Sequence, residues 1–119
     1  DYANSDITAS NFPTQGSGQQ NAVVELVHFG RDMTSEAVLK EFEARGLRAA
    51  TLLELLSFGA TYPEKQREFP IIALGSVWRD RDGDRRVPCL DRLGSQRKLH
   101  LYWDDIRWFG HCRFAAVRK

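Results

Sequence analysis

The sequence predicts an α+β domain in which two short helices pack on a small antiparallel sheet. Three observations carry this. Apolar residues recur at helical spacing between positions 34 and 68, then alternate singly from 71 onward. Threonines able to cap helices stand at Thr34 and Thr51, where the two helical patterns begin. A chain of 119 residues, 42% hydrophobic, has apolar surface for one modest core and no second domain.

Residues 1–21 are rich in Ser, Gln, Asn, Gly and Thr, include GSGQQ at 16–20, and read as a flexible arm or linker ahead of a domain spanning 22–119. AVVELVHF at 22–29 is β-branched and continuous enough for a strand buried on both faces, with His28 as a hydrogen-bonded core histidine. Thr34 caps a helix with Glu36 in its first turn, a stripe of Val38, Leu39 and Phe42, and Gly46 at its end. Thr51 and Glu54 have capping-box spacing, so LLELLSF forms a second helix burying Leu52, Leu55 and Leu56 and stopping near Gly59. Pro63 opens a further helical turn, and Phe69-Pro70 closes the helical half.

The remaining elements read as about four short strands: IIAL at 71–74 continuing through GSVW, RRVPCL at 85–90, KLHLYW at 98–103, and CRFAAVRK at 112–119. In KLHLYW, Leu99, Leu101 and Trp103 alternate with Lys98, His100 and Tyr102, which places the two sets on opposite faces. Asp82-Gly83 predicts a type I′ turn, making 79–86 a solvated hairpin tip.

Seventeen basic and sixteen acidic side chains leave a net charge of +1, so no global field draws the chain to nucleic acid or an anionic membrane. No apolar run reaches membrane-spanning length, and the start, DYANSDITASN, has neither a basic n-region nor an apolar h-region. The expectation is a soluble chain, its compartment unassigned. Cys89 and Cys112, without a CxxC or HxxxH companion, read as free thiols.

Asp80, Asp82, Asp84 and Asp91 in WRDRDGDRRVPCLD match positions 1, 3, 5 and 12 of a calcium loop. Arg85 stands where that loop requires Gly, and strand-like segments flank it instead of helices. A nucleophilic pair finds little support, since His111 and Cys112 are adjacent and point to opposite faces, and Cys89 could meet His100 only through tertiary contact. A nucleic-acid interface would use Arg79, Arg81, Arg85, Arg86, Arg92, Arg97 and Arg107 against phosphates, with Trp78, Tyr102, Trp108 and Phe109 as stacking surfaces. The interleaved aspartates oppose it. Arg, Asp, Tyr, Trp, His and Gly crowded between strands also describe a protein-binding surface.

One asymmetry needs a cause. All seven glutamates lie at or before position 68, and beyond it every acid is Asp while nine of eleven basic residues are Arg.

ALGSVW, VPCL, LHLYW, the spaced Trp108 and RFAAVRK together resemble the variable proteins of diversity-generating retroelements, whose C-terminal domain is C-type-lectin-like. The stretch LRAATLLELL is similar to the first half of such domains, and the resemblance covers 22–119. It implies a binding scaffold and not an enzyme, with an unknown protein or other macromolecule as ligand and no cofactor, catalytic residue or metal. In that family an error-prone reverse transcriptase randomises adenines, chiefly in asparagine-type codons, which cannot yield Lys, Gln, Glu, Met or Trp. None of the seventeen residues in 79–95 is one of those five types, whereas nine residues between 34 and 70 are.

The fixed scaffold implied is Leu74, Gly75, Val77, Val87, Pro88, Leu90, Leu99, Leu101, Trp103, Trp108, Phe114, Ala115 and Val117. The ligand-facing positions implied are Arg79, Asp80, Arg81, Asp82, Asp84, Arg85, Arg86, Cys89, Asp91, Arg92, Leu93, His100, Tyr102, Asp104, Asp105, Ile106, Arg107, Phe109, His111 and Cys112. The longer glycine and arginine pattern of better-known variable proteins is incomplete here. Trp103-Asp104-Asp105 is also similar to the tryptophan-asparagine-aspartate motif of calcium-dependent sugar-binding lectins, whose other calcium-binding tripeptides are absent.

Overall fold

The computed structural model describes residues 2–8 and 23–119. Its elements, in order, are β1 (Tyr2–Ala3), β2 (Glu25–Val27), β3 (Met33–Thr34), α1 (Ser35–Ala44), β4 (Leu47–Ala49), α2 (Leu52–Thr61) and α3 (Lys65–Glu68). The second half contributes β5 (Ile71–Ile72), β6 (Trp78–Arg79), β7 (Arg85–Leu93), β8 (Gln96–Trp103), β9 (Arg107–Trp108) and β10 (Arg113–Arg118).

The helices begin where their caps predict. Thr34 Oγ1 accepts the Ala37 amide at 3.1 Å, and the chain leaves α1 through Gly46, whose φ is +71°. Thr51 and Glu54 form the reciprocal capping box. Glu54 does more than cap. Its buried carboxylate takes both Arg48 guanidinium nitrogens at 2.8 and 2.7 Å as well as the Thr51 amide at 2.9 Å. Burial opposes its charge, yet the Arg48 bonds and the Thr51 amide win and hold its pKa below the ordinary value. Val38 and Phe42 are buried, whereas Leu39, about 100° round the helix from Val38 and on the outer side of Phe42, is 42% exposed. Leu56 likewise stays 38% exposed beside the buried Leu52 and Leu55.

One sheet of eight strands runs in the order β1-β8-β7-β5-β10-β2, with β4 also on β10 and β6 on β7; β3 and β9 form a separate pair. The pairing is antiparallel except for β1 with β8 and β5 with β10. The sheet is thus larger than the four strands expected. The extra members are two- and three-residue segments that pairing with β8 and β10 organises more than their own periodicity does.

Strand alternation divides the interior into two cores, one on each face of the sheet. Ile72, Val87, Cys89, Phe114 and Ala116 pack with Val38 and Phe42 of α1, whereas Ile71, Leu90, Ala115 and Val117 pack with Leu55 of α2. The two helices therefore cover opposite faces. Leu101 and Leu52 continue the second face in a smaller cluster.

Three expectations change here. Residues 2–3 of the expected arm form a strand beside Lys98 and Leu99, while 9–21 lie outside the described residues. The 22–29 strand shrinks to three residues: Val23 is 82% exposed, and His28 is exposed with Nε2 at 2.9 Å from the Gly110 carbonyl. Its two faces are covered unequally: Val27 is buried in the α1 core, whereas Val24 and Leu26 are only half-buried against the other core. The run 71–78 breaks after Ile72, because Gly75 turns toward α2 and its amide bonds the Ala50 carbonyl at 2.9 Å. Of the implied scaffold, Val77 and Trp103 are exposed, Trp103 by 45%; Val87, Pro88, Leu90, Leu101, Trp108, Phe114, Ala115 and Val117 are buried.

Candidate ligand-binding surface

The hairpin tip is built around one carboxylate. β6 and β7 pair Trp78 with Arg86 and Arg79 with Arg85, and the Asp80 amide reaches the Asp84 carbonyl at 2.8 Å. Gly83 alone adopts positive φ, +86°, and its amide reaches the Asp80 carbonyl at 2.9 Å. A type I′ turn needs positive φ at both central residues, so the expected turn is replaced by a three-residue loop closed by a left-handed glycine. Asp80 Oδ1 accepts the amides of Asp82 and Asp84, each at 3.0 Å, and Oδ2 pairs with Arg86 at 3.1 Å. Partial desolvation pushes the Asp80 pKa up, but those amides and Arg86 outweigh it and hold it low. Asp80, Asp82 and Asp84 bring carboxylate oxygens within 4.8 Å of one another, with both Asp80 oxygens already committed to the loop.

Arginine contacts tie this tip to the end of β8 and the turn beyond it. Arg79 donates to the Gly83 carbonyl at 2.7 Å, and Arg85 Nε pairs with Asp104 Oδ2 at 3.1 Å. Arg86 also donates to the Leu101 carbonyl and lies 4.5 Å over the Trp103 ring. Arg81, Asp82 and Asp84 point into solvent.

The β7–β8 register sets Val87 opposite Tyr102, Cys89 opposite His100, and Asp91 opposite Lys98, so these six side chains share one face. Residues 104–112 fold over that face. Ser35 Oγ donates to the Asp104 carbonyl at 2.7 Å and accepts the Trp108 indole N–H at 2.8 Å. Asp32 Oδ1 accepts the Gly110 amide at 3.0 Å, and β3 pairs with β9. Between loop and sheet lies a cavity of about 220 Å³ walled by Pro70, Ile72, Cys89, Tyr102, Ile106, Arg107, Trp108, Phe109, His111 and Cys112. Phe109, 66% exposed, stacks on His111 with ring centroids 6.2 Å apart.

Behind the cavity a polar cluster fixes Tyr102. Its hydroxyl donates to Asp91 Oδ2 at 2.6 Å, and His100 Nε2 lies 3.2 Å from Asp91 Oδ1 without hydrogen-bond alignment. Burial first, and the Asp91 bond second, push the Tyr102 pKa well up. Gln66, buried, donates to the Asp91 and Lys98 carbonyls at 2.8 and 3.1 Å. A second cleft of about 360 Å³, sharing Pro70 and His111 with the first, runs along Asp91, Arg92, Leu93 and Gly94 toward α3.

Most of the implied positions thus form one strip, from the hairpin tip through Asp104 and the cavity to Leu93, while Arg86 and Arg92 alternate to the other face of β7. Along β7 alone the strip measures about 26 Å at roughly 3.3 Å per residue. Of the implied positions, Arg79, Arg81, Asp82, Asp84, Arg85, Arg92, Leu93, Asp105, Arg107, Phe109 and His111 are exposed. Asp80, Arg86, Asp91, His100, Tyr102, Asp104 and Ile106 are half-buried. Two positions fit the ligand-facing expectation poorly. Cys89 is fully buried against Val87 and Phe114, and Cys112 is buried as well. Both are free thiols, and burial is the main reason both pKa values rise, Cys89 strongly. A thiol kept protonated is a weak nucleophile, so the pair offers soft apolar wall.

Sequence reasoning missed Pro70 and Ile72, which floor the cavity, and Ser35, Asp32 and Gln66, which hold its walls. Their partners stand 25 to 78 positions away, beyond any local pattern.

Comparison with protein-family models, curated proteins and solved structures finds no match for this chain.

Proposed function

We propose that this chain is a ligand-binding domain of C-type-lectin-like type that presents a diversified strip, residues 79–112, to a protein partner. This is the role of variable proteins in diversity-generating retroelements. The order strand, two helices, then strands fits that reading. The observation that carries it is the separation of roles along β7 and β8. Most of the residues implied to be fixed are buried, whereas those implied to vary are exposed or half-buried apart from the two cysteines, with Tyr102 and Ile106 packed against the α1 core. Affinity would then come from shape and a few Arg or aromatic anchors, with no fixed catalytic geometry required.

A protein partner is favoured over nucleic acid because Arg79, Arg85, Arg86 and Arg92 already bond to Gly83, Asp104, Asp80 and Gly94 within the domain. Phosphate contacts would have to displace those bonds.

Deep sequencing of the 3′ part of this gene in one natural population tests the reading. Differences concentrated at adenine-derived positions in codons 79–112 are expected. Uniform sequence with scattered silent changes would sink it.

A further inference from the structure

We propose that the cavity beneath residues 106–112 is the anchor site of this surface, receiving one phenylalanine- or leucine-sized side chain of the partner that carries a carboxylate beside it. The inference rests on the protein-binding reading above and adds the chemistry of the contact.

Size comes first. A cavity of about 150 Å³ lined by apolar side chains accepts a benzene ring, and the cavity here is about 220 Å³. Its inner wall is apolar or soft: Ile72, Cys89, Trp108 and Cys112, with both thiols protonated. Tyr102 presents its ring, because its hydroxyl is turned away to Asp91. Nothing in that inner wall competes for a hydrogen bond, so an apolar group loses little on entry.

The rim sets the charge. Arg107 is exposed and makes no ion pair or side-chain hydrogen bond among the described residues. His111 lines the same cavity. Among the described residues no acid lines the wall: Asp104 pairs with Arg85, Asp105 lies in the preceding turn, and Asp32 and Asp91 stand behind it, accepting bonds from the Gly110 amide and the Tyr102 hydroxyl. A carboxylate next to the inserted group meets Arg107 directly, whereas an ammonium there finds no acid in the wall to pair with. An apolar pocket with one unpaired guanidinium at its mouth is the arrangement in which a single buried anchor dominates binding.

The test uses the whole chain, uniformly ¹⁵N-labelled, titrated separately with phenylacetate and phenethylamine. Phenylacetate is expected to shift the Trp108 indole and the amides of 106–112 with a Kd on the order of 1 mM. Phenethylamine should bind about threefold more weakly, the scale of one exposed ion pair. Ile106→Trp fills the mouth and abolishes the shifts. Arg107→Ala, at an exposed position, leaves the fold intact and erases the preference. Absence of shifts at 106–112 with phenylacetate, or equal binding of the two probes, overturns the inference and leaves the population test of the surface standing. A uniform natural sequence with phenylacetate still bound would instead overturn the diversified-surface reading.

Discussion

Trp108 donates its indole N–H to the hydroxyl of Ser35 at 2.8 Å, across 73 positions of sequence, and the same hydroxyl donates to the Asp104 carbonyl at 2.7 Å. One small side chain thereby holds the start and the middle of the segment that roofs the cavity. Ser35→Ala leaves a buried indole N–H and a carbonyl without their partner and should cost about 1–3 kcal/mol. Urea unfolding measures the loss, and hydrogen exchange should rise in 104–112 ahead of the rest of the chain. A uniform rise would mean that Ser35 supports only global stability.

Phe114→Ala and Trp103→Ala should separate. Phe114 is buried among Trp108, Phe29 and the α1 core, so its truncation should cost about 3–5 kcal/mol. Trp103, 45% exposed and covered by the Arg86 guanidinium, should cost about 1–2 kcal/mol. Paired thermal melts decide it, and equal losses would contradict the burial assigned to Trp103.

Acid should weaken the fold through Glu54. Its pKa is lower folded than unfolded, so the stabilisation is fully present above the unfolded value of about 4.3 and disappears as pH falls through the folded value. Glu54→Gln should cost about 2–3 kcal/mol at neutral pH, below the full buried-pair loss because Arg48 is a third exposed. The variant's stability should also fall less steeply below pH 4.5 than the parent's, read from denaturation midpoints across that range.

The hairpin tip should tolerate change unevenly. Substituting Arg81, Asp82 and Asp84 together by Ser should move stability by about 0.5 kcal/mol or less. Asp80→Ala should destabilise clearly more than that triple change, since two backbone amides and Arg86 lose their acceptor. If Asp80 behaves like its neighbours, the loop is organised by Gly83 alone.

Cys89 should resist a maleimide reagent until the protein unfolds, because it is wholly buried and its thiol stays protonated. Labelling at the rate of an exposed thiol would contradict the packing of the sheet face under the cavity.

Legibility followed the range of the forces involved. Thr34, Thr51 and Glu54 announce their helices because capping acts within three or four residues. The alternation in KLHLYW sorted correctly into two faces, but which residues are shielded depended on what covers each face. Tyr102 faces the α1 core and Trp103 faces partly outward, the reverse of a simple apolar rule. The strip could be outlined from residue types in 79–112. Its cavity could not, since the floor comes from Pro70 and Ile72, and the braces at Asp32 and Ser35 lie some seventy positions before the loop they hold. The misjudged glycine turn shows the same limit: Asp82-Gly83 suits type I′ locally, but the Asp80 carboxylate, by binding the amides of Asp82 and Asp84, selects another loop.

β5 and β10 lie side by side and parallel, Ile71 against Arg113 and Ile72 against Phe114, while everything from 73 to 112 leaves and returns between them. The two ends of that excursion are therefore clamped one strand spacing apart by a frame of β2, β4, β5 and β10. The segment is nonetheless no mere loop, since Leu74, Val87, Cys89, Leu90 and Trp108 within it fill parts of both cores. Provided that Val87, Cys89 and Leu90 still cover the frame, its outer loops can be lengthened for about 0.6 kcal/mol per doubling. Length changes in those loops would thus leave the closure of the sheet between β5 and β10 in place.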